Sequence, residues 1–423
     1  MRKFFHALLL VTALLFTVAA REAAPQPTGL QARTNNTTAR ESSPAVRRKT
    51  FAVVWETVKK QHYDAKYGGV DWDGVRARYE PMLASVETDA QLHKLLNRML
   101  AELRISHFAV VPAEAIEARR EPPGFFGLRL NKLGEQLVVA QVAQGSPAER
   151  AGLRPGFVLA SIDGADAAEV EDPSDALAGA PGSTLELAYL DAQDARREVK
   201  LERAPWPGAF DILEGFPLAS EFEARRLEGG VGYVRFTQFI PSLNPKIRGA
   251  VAGMAGAPGI IIDLRGNSGG DDSVGIKLAG MFFDRPTQLM ITRRRTGDDM
   301  YYKARPRKKP YLGPLVILLD EGSGSSSEQF AAGMQESGRA FVVGKRSAGD
   351  DLDASFKKLP TGAVMLYAYG EPRTPKGVVI EGRGVEPDID VDLTRAGLLQ
   401  GHDAQLEAAL KYVREHATKP QSK

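Results

Sequence analysis

The sequence predicts a multidomain α/β protein: an N-terminal helical segment, a small partly open β-barrel, and an α/β core closed by a C-terminal helix. Three observations carry this. Apolar residues recur at helical spacing from Phe51 to Leu103. From Glu121 to about Ala204, short strand-like runs alternate with Gly and Pro turns. Beyond Val231 a strand, helix, strand, turn, helix pattern repeats, which suits a partly parallel sheet.

The 423 residues are enough for two or three domains with a sizeable core. A net charge of +2 carries no signal for nucleic acid or for acidic substrates. The absence of cysteine excludes disulfides, thiolate metal sites and cysteine nucleophiles. No pattern for a cofactor or metal is present: none of His62, His93, His402 and His416 stands in an H-E-x-x-H spacing.

Residues 1–20 read as a signal peptide. Arg2 and Lys3 precede the apolar stretch Phe4 to Phe16, and Val18-Ala19-Ala20 offers a small-residue cleavage site. Retention as a membrane anchor is the alternative, although no later stretch is apolar enough to span a bilayer. The expected product is exported, periplasmic or secreted, without a stable membrane anchor. Residues 21–48 are poor in large apolar residues and read as a disordered linker.

Residues 49–118 form the helical segment. Phe51, Val54, Trp55 and Val58 share one helix face, and Leu92, Leu95, Leu96, Met99 and Leu103 another. The segment ends in Ser106-His107 and a strand-like Phe108 to Val111. A histidine at such a junction is either a satisfied structural residue or, if a serine elsewhere needs an imidazole, the best-placed base.

Residues 119–205 form the small β module. Its runs are Phe126 to Leu130, Gln136 to Val142, Val158 to Ile162, Thr184 to Leu190 and Arg197 to Leu201, with a Ser-capped, Pro-started helix at Ser146 to Leu153.

Residues 206–395 form the α/β core, and 396–423 a C-terminal helix capped by Asp403, with its tail. Strands are expected at Val231 to Phe236, Gly259 to Leu264, Val316 to Leu319, Met365 to Tyr369 and Val378 to Ile380. The basic runs Arg293-Arg294-Arg295 and Arg305 to Lys309 flank a turn at Thr296 to Asp299 and read as a solvated hairpin. Gly344-Lys345 has neither the spacing nor the Ser/Thr of a phosphate loop.

Within the core, Leu315 to Gly344 reads as strand, Ser-rich turn, helix, strand. A serine at a sharp strand-to-helix turn presents its hydroxyl outward beside backbone N–H groups that can hold an oxyanion, and Ser325 occupies that place. The competing reading is structural: Ser325-x-x-Glu328 is also a capping box.

The β module resembles a PDZ domain through Gly124 to Leu128, Gly145-Ser146-Pro147-Ala148, Ala151 to Gly156 and Ile162-Asp163-Gly164. That resemblance implies binding of a peptide C-terminus by strand addition, with Phe126, Gly127 and Leu128 as the carboxylate loop. The alternative is a module that only clamps its neighbour.

With the core included, the chain resembles the S41 serine peptidases, the C-terminal processing (tail-specific) proteases and the related tricorn core. The resemblance rests on Asp263 to Gly270, Glu321 to Glu328, Gly338-Arg339-Ala340 with Val342-Val343-Gly344, and Gly384 to Asp388. It implies a ClpP/crotonase-like core, a Ser325 nucleophile, a peptide or unfolded-protein substrate and no cofactor. In one respect the chain departs from the processing proteases: their dyad lysine falls where this chain has Gly349-Asp350-Asp351. Ser106-His107 instead matches the Ser-His pair of the tricorn branch, and Glu381 is the candidate for its distant Glu. The resemblance then implies His107 as base, Ser106 and Glu381 as its support, and an oxyanion hole from the N–H of Ser326 and of Gly269 or Gly270. Two alternatives stand beside this reading: an inactive peptide-binding scaffold, and a Ser–Lys peptidase with a displaced lysine such as Lys345. An α/β-hydrolase fits poorly, because only His402 and His416 follow Ser325.

Overall fold

A computed structural model describes residues 41–170 and 176–417. The signal segment and residues 21–40 of the linker lie outside the described residues. Helix α1 (Pro44–Gln61) starts inside the stretch read as linker. Ser43 caps it and Pro44 takes the first helical position, so a start signal was present despite the polar composition. Helices α2 (Trp72–Tyr79) and α3 (Asp89–Ala101) follow, the latter with a Thr88/Gln91 capping box.

Phe51, Val54, Trp72, Leu92, Leu96 and Met99 form one core with Val110, Leu359 and Met365. The helical segment therefore shares its interior with the distant end of the chain. Strand β1 (Ala109–Val111) adds antiparallel to a strand at Val364–Arg373, with Ala109 opposite Leu366. This pairing carries Ser106 and His107, just upstream, onto the core.

The small β module has strands β2 (Leu128–Leu133), β3 (Gln136–Val142), β4 (Val158–Ile162), β5 (Thr184–Leu190) and β6 (Arg196–Glu202). They pair in the order β2-β3-β4-β5-β6, and the outer strands do not pair with each other, so the barrel is open. Leu137, Val139, Leu159, Leu185 and Leu187 fill it. The module docks on the short helix Arg395–Leu399: Leu398 packs on Val138 and Val158, and Arg395 donates to the Gly156 and Asp191 carbonyls at 3.0 and 2.9 Å.

The core sheet has an antiparallel edge strand β7 (Phe222–Arg226) beside β8 (Gly232–Phe236). Parallel strands β9 (Ile260–Asp263), β10 (Leu315–Leu319), β11 (Phe341–Gly344) and β12 (Ile389–Asp390) continue it. Apart from the short β12 these parallel strands are apolar runs covered on both faces, as a parallel sheet requires. One face packs on the C-terminal helix Ala404–His416 through Val413 and Ala409. The other packs on helices α4 (Asn244–Gly253), α5 (Asp272–Ala279) and α6 (Ser326–Glu336). A second sheet lies beyond α6, which packs Gly333 against Leu289. The turn between the basic runs does close a hairpin, Thr287–Arg294 with Met300–Ala304.

One reading needs correction, and one hairpin was not expected. Val378 to Ile380 is not a strand; it makes one isolated bridge, Val379 to Arg373, beyond a tight turn in which Gly377 N–H bonds the Thr374 carbonyl. The stretch after Pro205 holds a hairpin, Ala209–Leu213 with Phe216–Ser220. Glu214 and Gly215 both take positive φ there, at 50° and 88°, and Glu at the first position hides the turn from sequence inspection.

Candidate active site

Strand β10 ends at Leu319 and helix α6 begins at Ser326, so six residues reverse the chain. Ser325 sits at φ 50°, ψ −123°, a conformation costly for any residue with a Cβ and one that clusters at functional sites. Its N–H is shared between the Asp350 carbonyl at 2.9 Å and Glu328 Oε2 at 3.1 Å. The Glu328 N–H bonds the Ser325 carbonyl at 2.7 Å and not its hydroxyl. Only the carboxylate half of the capping box is therefore formed. The other three serines of the turn all spend their hydroxyls: Ser323 on the Leu264 carbonyl, Ser326 on the Gly270 carbonyl, and Ser327 on the Asn267 carbonyl, each at 2.8 Å. Ser325 alone among these four has a hydroxyl without a partner among the described residues.

The turn after β9 lies against it. A Cβ on Gly269 would fall 2.6 Å from the Ser325 Cβ, so glycine is required for this approach. The Gly269 N–H is bonded to Asn267 Oδ1 at 3.0 Å. Neither the Gly270 N–H nor the Ser326 N–H has an acceptor among the described residues. This turn is anchored from below. Arg265, fully buried, pairs with Asp263 at 2.7 Å and reaches Asp403 at 2.9 Å, tying the strand end to the C-terminal helix.

Ser106 and His107 come to the same region from the N-terminal segment. Ser106 Oγ stands 2.6 Å from His107 Nδ1 and 2.8 Å from Glu381 Oε2, while the Ser106 N–H donates to Glu381 Oε1 at 2.7 Å. Glu381 accepts a third hydrogen bond from the Asp351 N–H at 2.8 Å. With three donors aimed at it, Glu381 is an acceptor and takes the single Ser106 hydroxyl proton. Ser106 Oγ must then accept from His107 Nδ1–H, which leaves the Nε2 lone pair free. Burial pulls the His107 imidazole down to about 4, so it is neutral at pH 7. The backbone at His107 is also left-handed, with φ 60°.

Comparison with known proteins shows what the chain is similar to. The profile of Peptidase family S41 matches residues 230–391, that of the Tricorn protease C1 domain residues 43–101, and that of the PDZ domain residues 138–190. The chain carries a peptidase S41 domain with a PDZ domain ahead of it. It is 28% identical to the chloroplastic C-terminal processing peptidase of Tetradesmus obliquus over 81% of this chain and 76% of that one. It is 27% identical to a carboxyl-terminal-processing protease of Synechocystis sp., covering 84% of each. The solved photosystem II D1 C-terminal processing protease superposes with a TM-score of 0.58 at 25% identity, over 85% of this chain and 98% of that one.

The resemblance to the processing proteases puts a dyad lysine where this chain has Asp350, and it is the Asp350 carbonyl rather than its side chain that meets Ser325. Lys345, the candidate for a displaced lysine, has its ammonium held by Asp390 and Asp392, hydrogen bonds that raise its proton affinity further. In the PDZ domain, Phe126 is buried under the Arg203 guanidinium, 4.7 Å from its ring centre. Gly127 has φ 78° and presses against Ser146, and its N–H has no acceptor among the described residues. Leu128 opens β2.

Sequence reasoning missed three residues that build the site. Glu328 is fully buried and accepts hydrogen bonds from Ser325, Gly349 and Asp350 N–H and from the Ser347 hydroxyl. Burial pushes its carboxyl up to about 7 against those bonds. Asp320 takes the Gly266 and Gly322 N–H groups on one oxygen, at 2.7 and 3.1 Å. Its other oxygen lies 3.5 Å from Arg129 of the PDZ domain. The third is Asp351, whose N–H supports Glu381. The capping motif pointed at Glu328. Nothing local marked the other two, because the contacts that tie them to the site, Asp320 to Gly266 and Arg129 and Asp351 to Glu381, each span thirty residues or more.

Proposed function

We propose that this S41 peptidase is an exported serine endopeptidase that hydrolyses peptide bonds in peptides or protein C-terminal regions, with the PDZ domain assisting substrate binding. Ser325 Oγ attacks the scissile carbonyl. His107 Nε2 takes the hydroxyl proton and later returns it to the leaving amine. The Ser106 hydroxyl and Glu381 hold the imidazole in the tautomer that leaves Nε2 free, and they stabilise its cationic form. The N–H groups of Ser326 and Gly270 are the oxyanion donors; Gly269, whose N–H is bonded to Asn267, serves by its lack of a side chain. The Phe126-Gly127-Leu128 loop receives the free carboxylate of a peptide.

The observation that carries this reading is Ser106 Oγ bridging His107 Nδ1 and Glu381 Oε2 at 2.6 and 2.8 Å. Export rests on the basic, apolar and small-residue order of residues 1–20. Among the described residues no helix is long and apolar enough to cross a membrane. The test is labelling with a fluorophosphonate probe, located by mass spectrometry. Ser325 should carry the label, and Ser325→Ala should lose both labelling and peptidase activity, a fall of about 10⁴-fold or more in kcat. Activity retained in purified Ser325→Ala would overturn the assignment.

A further inference from the structure

Beside the nucleophile lies a group of acids that the mechanism does not use. Asp272, at the start of α5, is two residues past Gly270 and hydrogen-bonds the Ser326 hydroxyl. Asp353 accepts from Gln329, one turn further along α6, at 3.0 Å, and from the Thr292 and Tyr302 hydroxyls at 2.6 and 3.3 Å. Ser326 and Gln329 are three residues apart on the helix and share a face, so both carboxyl groups stand along the same side of α6. Asp351 is fully buried near both, and neither of its oxygens has a hydrogen-bond partner among the described residues.

No Lys, Arg or His among the described residues forms an ion pair with Asp272, Asp351 or Asp353. The neighbouring Arg294 gives its guanidinium to the Asp298 carbonyl. An unpaired buried carboxyl group is costly, and three together are costlier. Burial, and then the charge of Asp353, push Asp272 up to about 8, so the free protein carries protons here that a cation could replace. No group of three or more His, Asp and Glu among the described residues is arranged to hold a metal ion. The surroundings suit an organic cation: Tyr302 and Tyr369 lie close to both Asp272 and Asp353, and aromatic rings favour an alkyl stem bearing a positive charge.

We propose that Asp272, Asp353 and Asp351 form the subsite for a lysine or arginine side chain on the residue whose carbonyl is cleaved. This rests on the peptidase reading above. A carbonyl oxygen held by the Ser326 and Gly270 N–H groups places the side chain of its own residue next to them. Asp272 is bonded to that same Ser326 and follows Gly270 by two residues. A basic side chain gives Asp351 a partner; an apolar one leaves it unpaired.

The experiment compares peptides that differ only at the residue before the cleaved bond: arginine, lysine, citrulline and norleucine, with the bond located by mass spectrometry. Arginine and lysine should exceed citrulline and norleucine in kcat/KM by about tenfold or more. In Asp272→Asn/Asp353→Asn that ratio should approach one. A variant that merely folds poorly loses all four substrates together and keeps the ratio. Agmatine, a free guanidinium, should compete with peptide in the wild-type protein, raising KM without changing kcat, whereas n-butanol should not. An arginine-to-citrulline ratio near one in the wild type, or an unchanged ratio in a variant whose circular dichroism and thermal melt match the wild type, overturns the subsite. Fluorophosphonate labelling separates the two claims: labelling of Ser325 without a basic preference sinks the subsite alone. Absence of labelling sinks the peptidase reading, and calorimetry with agmatine on the wild-type protein then decides the subsite, which fails if no heat of binding is seen.

Discussion

The Asp350 carbonyl oxygen accepts the Ser325 N–H at 2.9 Å, and the next residue, Asp351, donates its N–H to Glu381 at 2.8 Å. One turn thus holds Ser325, the proposed nucleophile, by one peptide group and Glu381, the proposed support of His107, by the next. Asp350 and Asp351 form a backbone strut between Ser325 and Glu381.

The strut makes Glu381 and Ser106 positioning residues whose loss should act through His107. Glu381→Gln places an amide NH₂ where three donors converge. We expect kcat to fall by about 10²- to 10⁴-fold with KM little changed, and Ser106→Ala to show the same pattern more weakly. Steady-state kinetics on a cleaved peptide checks both. A matching rise in KM would point instead to a distorted binding surface.

A histidine base must be neutral to accept a proton, so kcat/KM should rise as pH increases through its pKa. An ordinary imidazole would put that limb near pH 6.5, and burial of His107 moves it down to about 4. Acylation by an active ester, followed from pH 3 to 8 with circular dichroism as a folding control, should stay on its plateau down to about pH 5. His107→Ala should remove the limb and most of the rate. Asp350→Lys should not rescue it.

Burial and the nearby Glu381 and Glu328 push the Asp350 carboxyl up to about 8, from 3.8. The folded protein therefore binds this proton more tightly than the unfolded chain. Its contribution to stability is complete below pH 4 and is lost as pH rises toward 8. Asparagine keeps the backbone carbonyl and cannot titrate. Thermal melts should show Tm falling less between pH 5 and 8 in Asp350→Asn than in the wild type. Parallel curves would mean that Asp350 is ionised in the folded protein at the low end already.

Arg129 joins the PDZ domain to the nucleophile turn through the buried Asp320. Arg129→Met leaves that carboxylate without its cation and should cost about 3 kcal/mol in urea unfolding. The carboxylate loop itself is tested by a peptide with a free C-terminus against its amide, by fluorescence polarisation on Ser325→Ala. The free acid should bind more tightly, and equal affinities would show that the domain does not read a carboxylate.

Much of the fold was legible in local patterns. Gln136 to Val142, Val158 to Ile162 and Thr184 to Leu190 are strands at the boundaries their alternation and turns suggest. The parallel strands announce themselves as apolar runs because both faces are covered. The Ser-rich turn marks Ser325 through its glycines and its place between strand and helix, and Ser106-His107 and Glu381 could be named from motif order. Chain order alone, however, left the same residues compatible with a capping box, a structural histidine and a displaced lysine. Tertiary structure decided among the contacts. It alone shows that Ser325 is the serine of its turn with an unspent hydroxyl, that Gly269 spends its N–H on Asn267, and that Lys345 is tied to Asp390 and Asp392. The reason is distance along the chain. Ser106 and Glu381 are 275 residues apart, and their hydrogen bonds form only because β1 adds to a strand beyond residue 360. A local pattern records where a chain turns; it does not record which far group will meet a buried polar atom there.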